Sequence, residues 1–113
     1  MCGIFGITEK NPKLIKSIID KCSHRGPDGN SIWSNESVTL GHNLLSITST
    51  PKDGAQPFTT QKGNILTYNG EIFNYNNLLK KFKDKFLSKT SCDTELLGLV
   101  LDNFSYEEVY VIY

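Results

Sequence analysis

Structure begins almost at the first residue. Gly3 to Thr8 is a short, mostly apolar run carrying Ile4, Phe5 and Ile7, and its length and composition predict a buried strand. Removal of Met1 would leave Cys2 as the N-terminal residue, with a thiol and an α-amine on one carbon framework. An α-amine titrates near pH ~8, so a neutral fraction is present at physiological pH. It can take the thiol proton and later return it to a leaving amine, so nucleophile and base reside in one residue. By position alone, Cys2 is equally an ordinary early residue.

The rest of the sequence supplies alternating elements. Asn11 and Pro12 have the residue types of a helix N-cap and first helical position. Leu14, Ile15, Ile18, Ile19 and Cys22 follow at helical spacing, predicting an amphipathic helix over residues 12–22. Gly26-Pro27-Asp28-Gly29 marks a loop. Two strands are expected at Ser31–Ser34 and Val38–His42, turning at Asn35-Glu36-Ser37. Thr48 to Lys62 reads as a long loop, a feature frequently tied to function. A strand at Ile65–Tyr68 precedes Asn69-Gly70, and a helix is expected over Asn74–Phe82 with Leu78, Leu79 and Phe82 inward. Phe86-Leu87 and Val109–Tyr113 are candidate strands. Between them, Asp93 is placed to cap a largely buried helix running to about Phe104. The order predicts an α+β layered fold without fixing its sheet topology.

Composition narrows the function. Twelve acidic and twelve basic residues among 113 give a net charge of zero, which argues against nucleic acid or an anionic membrane as partner. Arg25 is the one arginine, so bidentate recognition of carboxylates has a single candidate. Three cysteines without repeated spacing are no disulfide framework. No apolar run approaches the ~18 residues of a membrane span, and no signal-peptide pattern opens the sequence. A cytoplasmic protein with reduced thiols is expected. Cys22, His24, His42 and Cys92 match no common zinc spacing, so no metal is expected, and Cys22 reads as a core thiol.

Six segments, in order, carry a resemblance: Met1-Cys2-Gly3-Ile4-Phe5-Gly6, His24-Arg25-Gly26-Pro27-Asp28-Gly29, Leu45-Ser46-Ile47, Gly54-Ala55-Gln56-Pro57, Tyr68-Asn69-Gly70-Glu71-Ile72-Phe73-Asn74-Tyr75 and Cys92-Asp93-Thr94-Glu95. Together they resemble the class II glutamine amidotransferases, specifically the glutaminase domain of asparagine synthetases, with Cys92 where serine is usual. The resemblance spans residues 1 to about 101. It implies an N-terminal-nucleophile hydrolase-like αββα sandwich and hydrolysis of glutamine to glutamate and ammonia through a glutamyl thioester on Cys2. Asn69 and the Gly70 N–H would form the oxyanion hole. Glu71 and Asp93 would bind the α-ammonium of glutamine, whose three donors suit two anionic acceptors. Arg25 is the remaining candidate for substrate binding, although with Asp28 it could simply support the site. Outside the resemblance these residues have plainer readings: Asn69-Gly70 is a common turn pair, Asp93 a helix cap and Glu71 a solvated residue.

Two departures from the family pattern generate further expectations. Leu44 stands where the family carries the arginine that binds the glutamine α-carboxylate. Loss of that pair would weaken glutamine binding by roughly 2–4 kcal/mol. The sequence is also shorter than the family's glutaminase domain, which predicts a partial domain over residues 1–113, at least one incomplete sheet and no synthetase domain. No cofactor is expected in this chain; ATP and Mg would belong to the synthetase domain alone, and no phosphate-binding glycine loop is present. A separate synthetase chain or a completing fragment would be its partner, with glutamine as small-molecule substrate. The alternatives are a catalytically inactive remnant or binding module, and one half of a split enzyme.

Overall fold

The computed structural model describes residues 2–47, 51–82, 89–105 and 107–109. Strand β1 (Gly3–Ile7) leads to helix α1 (Pro12–Lys21), whose N-terminus is capped by Asn11 Oδ1 accepting from the Leu14 N–H at 3.1 Å. The predicted cap satisfies a backbone donor that the helix itself leaves orphaned. A single 3₁₀ turn, Ser23–Arg25, follows. Strands β2 (Gly29–Ser34) and β3 (Thr39–Leu44) then form a hairpin. Asn35 closes the hairpin, its Oδ1 accepting from the N–H groups of Ser37 and Val38, both at 2.8 Å.

These strands form an antiparallel sheet in the order β1-β3-β2, with Gly3 opposite Asn43 and Gly29 opposite Leu44. Helix α1 lies on one face. The inward stripe is Ile15 and Ile19, each 1% exposed, while Leu14 lies one position off it and is 41% exposed. Gly41 makes this packing possible: a Cβ there would sit 2.5 Å from Ile15 Cγ2 and 2.9 Å from Ile19 Cδ1. Asn43, on the same face of β3, donates to the carbonyls of Ile19 and Cys22 and so closes the C-terminal end of α1. Cys22 itself is half-buried.

The second half begins in the segment expected to be a loop. Part of it pairs instead: β4 (Phe58–Thr59) lies antiparallel to β5 (Ile65–Leu66). The predicted Ile65–Tyr68 strand stops early because the Tyr68 N–H bonds the Gln56 Oε1 at 2.5 Å, away from a strand ladder. Helices α2 (Tyr75–Phe82) and α3 (Asp93–Asn103) close this half around Ile72, Leu78, Phe82, Leu96 and Val100. Phe82 and Phe104 pack with ring centroids 5.2 Å apart and planes tilted by 46°. Asp102 ties α3 to the small sheet, accepting from Thr60 Oγ1 at 2.7 Å, Asn64 Nδ2 at 2.8 Å and the Lys62 N–H at 2.9 Å.

The result is an α+β fold. The structure corrects three further expectations. Strand β1 is an edge strand: Ile4 is 48% exposed, because only one face of β1 packs on α1. Asp93 is the first residue of α3 and Cys92 holds the N-cap position, so Asp93 complements the helix dipole without capping it. Val109 closes a helical turn onto the Ser105 carbonyl where a strand was expected. Residues 110–113 and the expected strand at Phe86-Leu87 lie outside the described residues.

Candidate active site

The ends of three segments converge. Cys2 precedes the edge strand β1, and its partner β3 runs out through Leu44 beside it. Cys2 Sγ accepts from the Leu45 N–H at 3.3 Å and lies 3.6 Å from the Leu45 carbonyl oxygen, fixing the thiol against the backbone. The loop between α1 and β2 supports this arrangement. Asp28 accepts from the Ser46 N–H at 2.7 Å and donates its own N–H to the Leu44 carbonyl at 2.9 Å. Arg25 donates to the Cys2 carbonyl at 3.4 Å. Gly26 packs so tightly that a Cβ would lie 2.5 Å from the Asn43 carbonyl carbon and oxygen, so this position admits only glycine without backbone movement.

Across from Cys2 lie the turn after β5 and the start of α3. A cavity of about 240 Å³ is lined by Cys2, Asn69, Gly70, Glu71 and Asp93. The remaining wall includes Leu44, Leu45, Ile47, Gln56, Tyr68 and Thr94. Five of the six site residues expected from sequence therefore share one cavity. Arg25 is the exception: it is exposed, stands outside the lining set and holds the Cys2 backbone. Gln56 is a site residue that sequence reasoning misses. It is 5% exposed and bridges the site, donating to Thr94 Oγ1 at 3.1 Å while accepting from the Tyr68 N–H. The signal for it is its place in the Gly54-Ala55-Gln56-Pro57 segment.

The electrostatics of the cavity are one-sided. Burial pushes the Tyr68 phenol above its ordinary value, and the nearby charges of Asp93 and Glu71 push it further. Leu44, 7% exposed, presents an apolar surface on the other wall. Beneath the site, His42 is 1% exposed, and neither of its ring nitrogens has a hydrogen-bond partner at good geometry among the described residues. Burial lowers its pKa, and the Tyr68 backbone offsets this only in part. Among the described residues no cluster of three His, Cys, Asp or Glu could hold a metal ion, and no helix is long and apolar enough to cross a membrane.

Chemically, such a cavity offers a thiol fixed against the backbone and, in the same lining, an amide side chain, a glycine and two carboxylates. The profile of the glutamine amidotransferase domain matches residues 1–108. Asparagine synthetase B from Escherichia coli is 32% identical over 104 residues, covering 86% of this chain and 19% of that protein. Asparagine synthetase 1 from Bacillus subtilis is 34% identical over 107 residues, covering 86% of this chain and 17% of that protein. The amidase chry2 from Gibberella zeae is 34% identical over 86 residues, covering 74% of this chain and 13% of that protein. The chain thus spans less than a fifth of the length of these relatives. With its profile match over nearly the whole sequence, it belongs to the glutamine amidotransferase domain family, and within that family it is similar to the asparagine synthetases.

Proposed function

We propose that this domain hydrolyses the terminal carboxamide of a glutamine-type substrate through a thioester on Cys2. The observation that carries the reading is convergence: Cys2, Asn69, Gly70, Glu71 and Asp93, from three separate stretches of sequence, line one cavity. Cys2 Sγ attacks the amide carbon, and the α-amine freed by removal of Met1 takes the thiol proton. Asn69 and the Gly70 N–H receive the developing oxyanion; loss of one such donor typically costs ~10²–10³ in rate. The amide C–N bond breaks, ammonia leaves with the transferred proton, and water cleaves the thioester to release the acid and the thiol. Glu71 and Asp93 hold the substrate ammonium, and Arg25 positions Cys2. The protein's own residues call for no cofactor in this reaction; ATP and Mg would serve a synthetase domain that receives the ammonia. The α+β order of α1, a three-stranded sheet, a two-stranded sheet and α3 is compatible with an αββα N-terminal-nucleophile sandwich.

Intact mass spectrometry tests the reading. The protein is exposed to a glutamine analogue with an electrophilic ketone in place of the terminal amide, as free acid and as α-carboxamide. A single adduct with either form, absent from Cys2→Ala, is expected. No adduct with either form would overturn the reading. The apolar Leu44 wall favours a second reading, a catalytically inactive family fold or binding module; it is supported if neither form gives an adduct and glutamine yields no ammonia.

A further inference from the structure

The side chains that line the cavity around Cys2 carry charge of one sign only. Glu71 and Asp93 line it, and both contribute to the raised pKa of Tyr68, after the larger effect of burial. No Lys, Arg or His is among the described residues that line it. Arg25, the one arginine of the sequence, is exposed and engaged with the Cys2 carbonyl. The wall beside Cys2 is Leu44, Leu45 and Ile47, with Leu44 7% exposed. Ser46, also on this wall, has a buried hydroxyl without a hydrogen-bond partner among the described residues, a neutral group suited to a neutral ligand atom.

A ligand with a free carboxylate would bring that charge against two carboxylates and a leucine, with no cationic side chain among the lining residues to pair it. Like charges juxtaposed in a desolvated site discriminate against a ligand, and an unpaired buried carboxylate is costly. A ligand with one ammonium and a neutral far end meets neither cost. We propose that the substrate class of this cavity is a terminal carboxamide on a molecule with a free ammonium and no free carboxylate, that is, a glutamine whose α-carboxyl group is itself an amide. A small amidated glutamine and the first residue of a peptide share this chemistry. The proposal rests on the reading of Cys2 as the nucleophile of this site. The bond changes are those already given: the terminal amide loses its C–N bond, ammonia leaves, and the α-amide is untouched.

The test separates binding from chemistry. Calorimetric titration of the Cys2→Ala protein compares glutamine, its α-N-methylamide and a glutaminyl-alanine amide. At least one capped ligand is expected to bind about tenfold or more tighter than glutamine. Adding Leu44→Arg is expected to reverse that order. Binding of both capped ligands supports the proposal and admits peptides; binding of the methylamide alone supports it and confines the site to small molecules. Glutamine binding as tightly as the capped ligands, or no binding of either capped ligand, would overturn it. Ammonia release by the wild-type protein is measured separately. Its absence alongside the expected binding order would count against Cys2 catalysis and not against the ligand class.

Discussion

At the residue scale, the site is governed by substitutions of charge and polarity. His42 shows the sign most plainly. Unfolded, its imidazole takes a proton near pH 6.5; buried, it resists that proton. Its contribution is therefore complete above pH 6.5 and declines as pH falls through the lowered folded-state value. We expect the melting temperature to fall as pH drops below about 6.5, and His42→Gln to flatten that part of the curve, read by thermal melts across buffers. A His42→Gln protein with an unchanged slope would assign the pH dependence elsewhere. Asp28 gives a second case. It holds the Ser46 N–H beside the nucleophile without lining the cavity. Asp28→Ala removes a charge-assisted bond and should cost about 1.5–3 kcal/mol, visible as a lowered denaturation midpoint together with slower alkylation of Cys2.

Elements are held by contacts that local sequence preference does not dictate. Helix α1 sits on β3 because Gly41 presents no Cβ to Ile15 and Ile19. Gly41→Ala should overpack this contact and destabilise the fold by about 1–3 kcal/mol, measured by urea denaturation. Helix α3 is tied to the β4–β5 hairpin by Asp102. Burial raises the pKa of that carboxyl, but the bonds from Asn64, Lys62 and Thr60 outweigh it and lower the value overall. The stabilisation is present above the unfolded value of about 3.8 and is lost as pH falls through the folded-state value. Asp102→Asn keeps the shape and should remove about 1–3 kcal/mol at neutral pH while weakening the acid dependence below pH ~4, read from paired melts at the two pH values.

For the whole molecule, the cavity is the seam between the β1-β3-β2 sheet with its helix and the β4–β5 half with α2 and α3. A ligand seated there touches both, so it stabilises the folded protein as a unit. At one hundred times its dissociation constant, a ligand of the proposed class should add ~2.7 kcal/mol to the Cys2→Ala protein. Calorimetry should show one cooperative transition moving upward; a melt that splits into two, with only one part moving, would mean that the ligand contacts only one half.

Much of this is legible in the sequence. The Asn11 cap, the Ile15–Ile19 stripe, the Asn35 turn, Leu78 and Phe82 facing inward, and the α3 helix all depend on residues a few positions apart. Short-range hydrogen bonds and apolar periodicity act within such spans, so sequence order carries them. Cys2, Asn69, Gly70, Glu71 and Asp93 are also identifiable, because each stands inside a recognisable segment. Tertiary structure alone decided the rest. It exposed Ile4 and Leu14, moved Asp93 from cap to first turn, drew β4 out of an expected loop, and placed Arg25 on the Cys2 backbone. It also made Gln56, His42 and Asp102 into buried polar residues at the joins between elements. These outcomes depend on which distant groups meet, and burial, pKa shifts and charge pairing are properties of that meeting rather than of any residue in its local sequence.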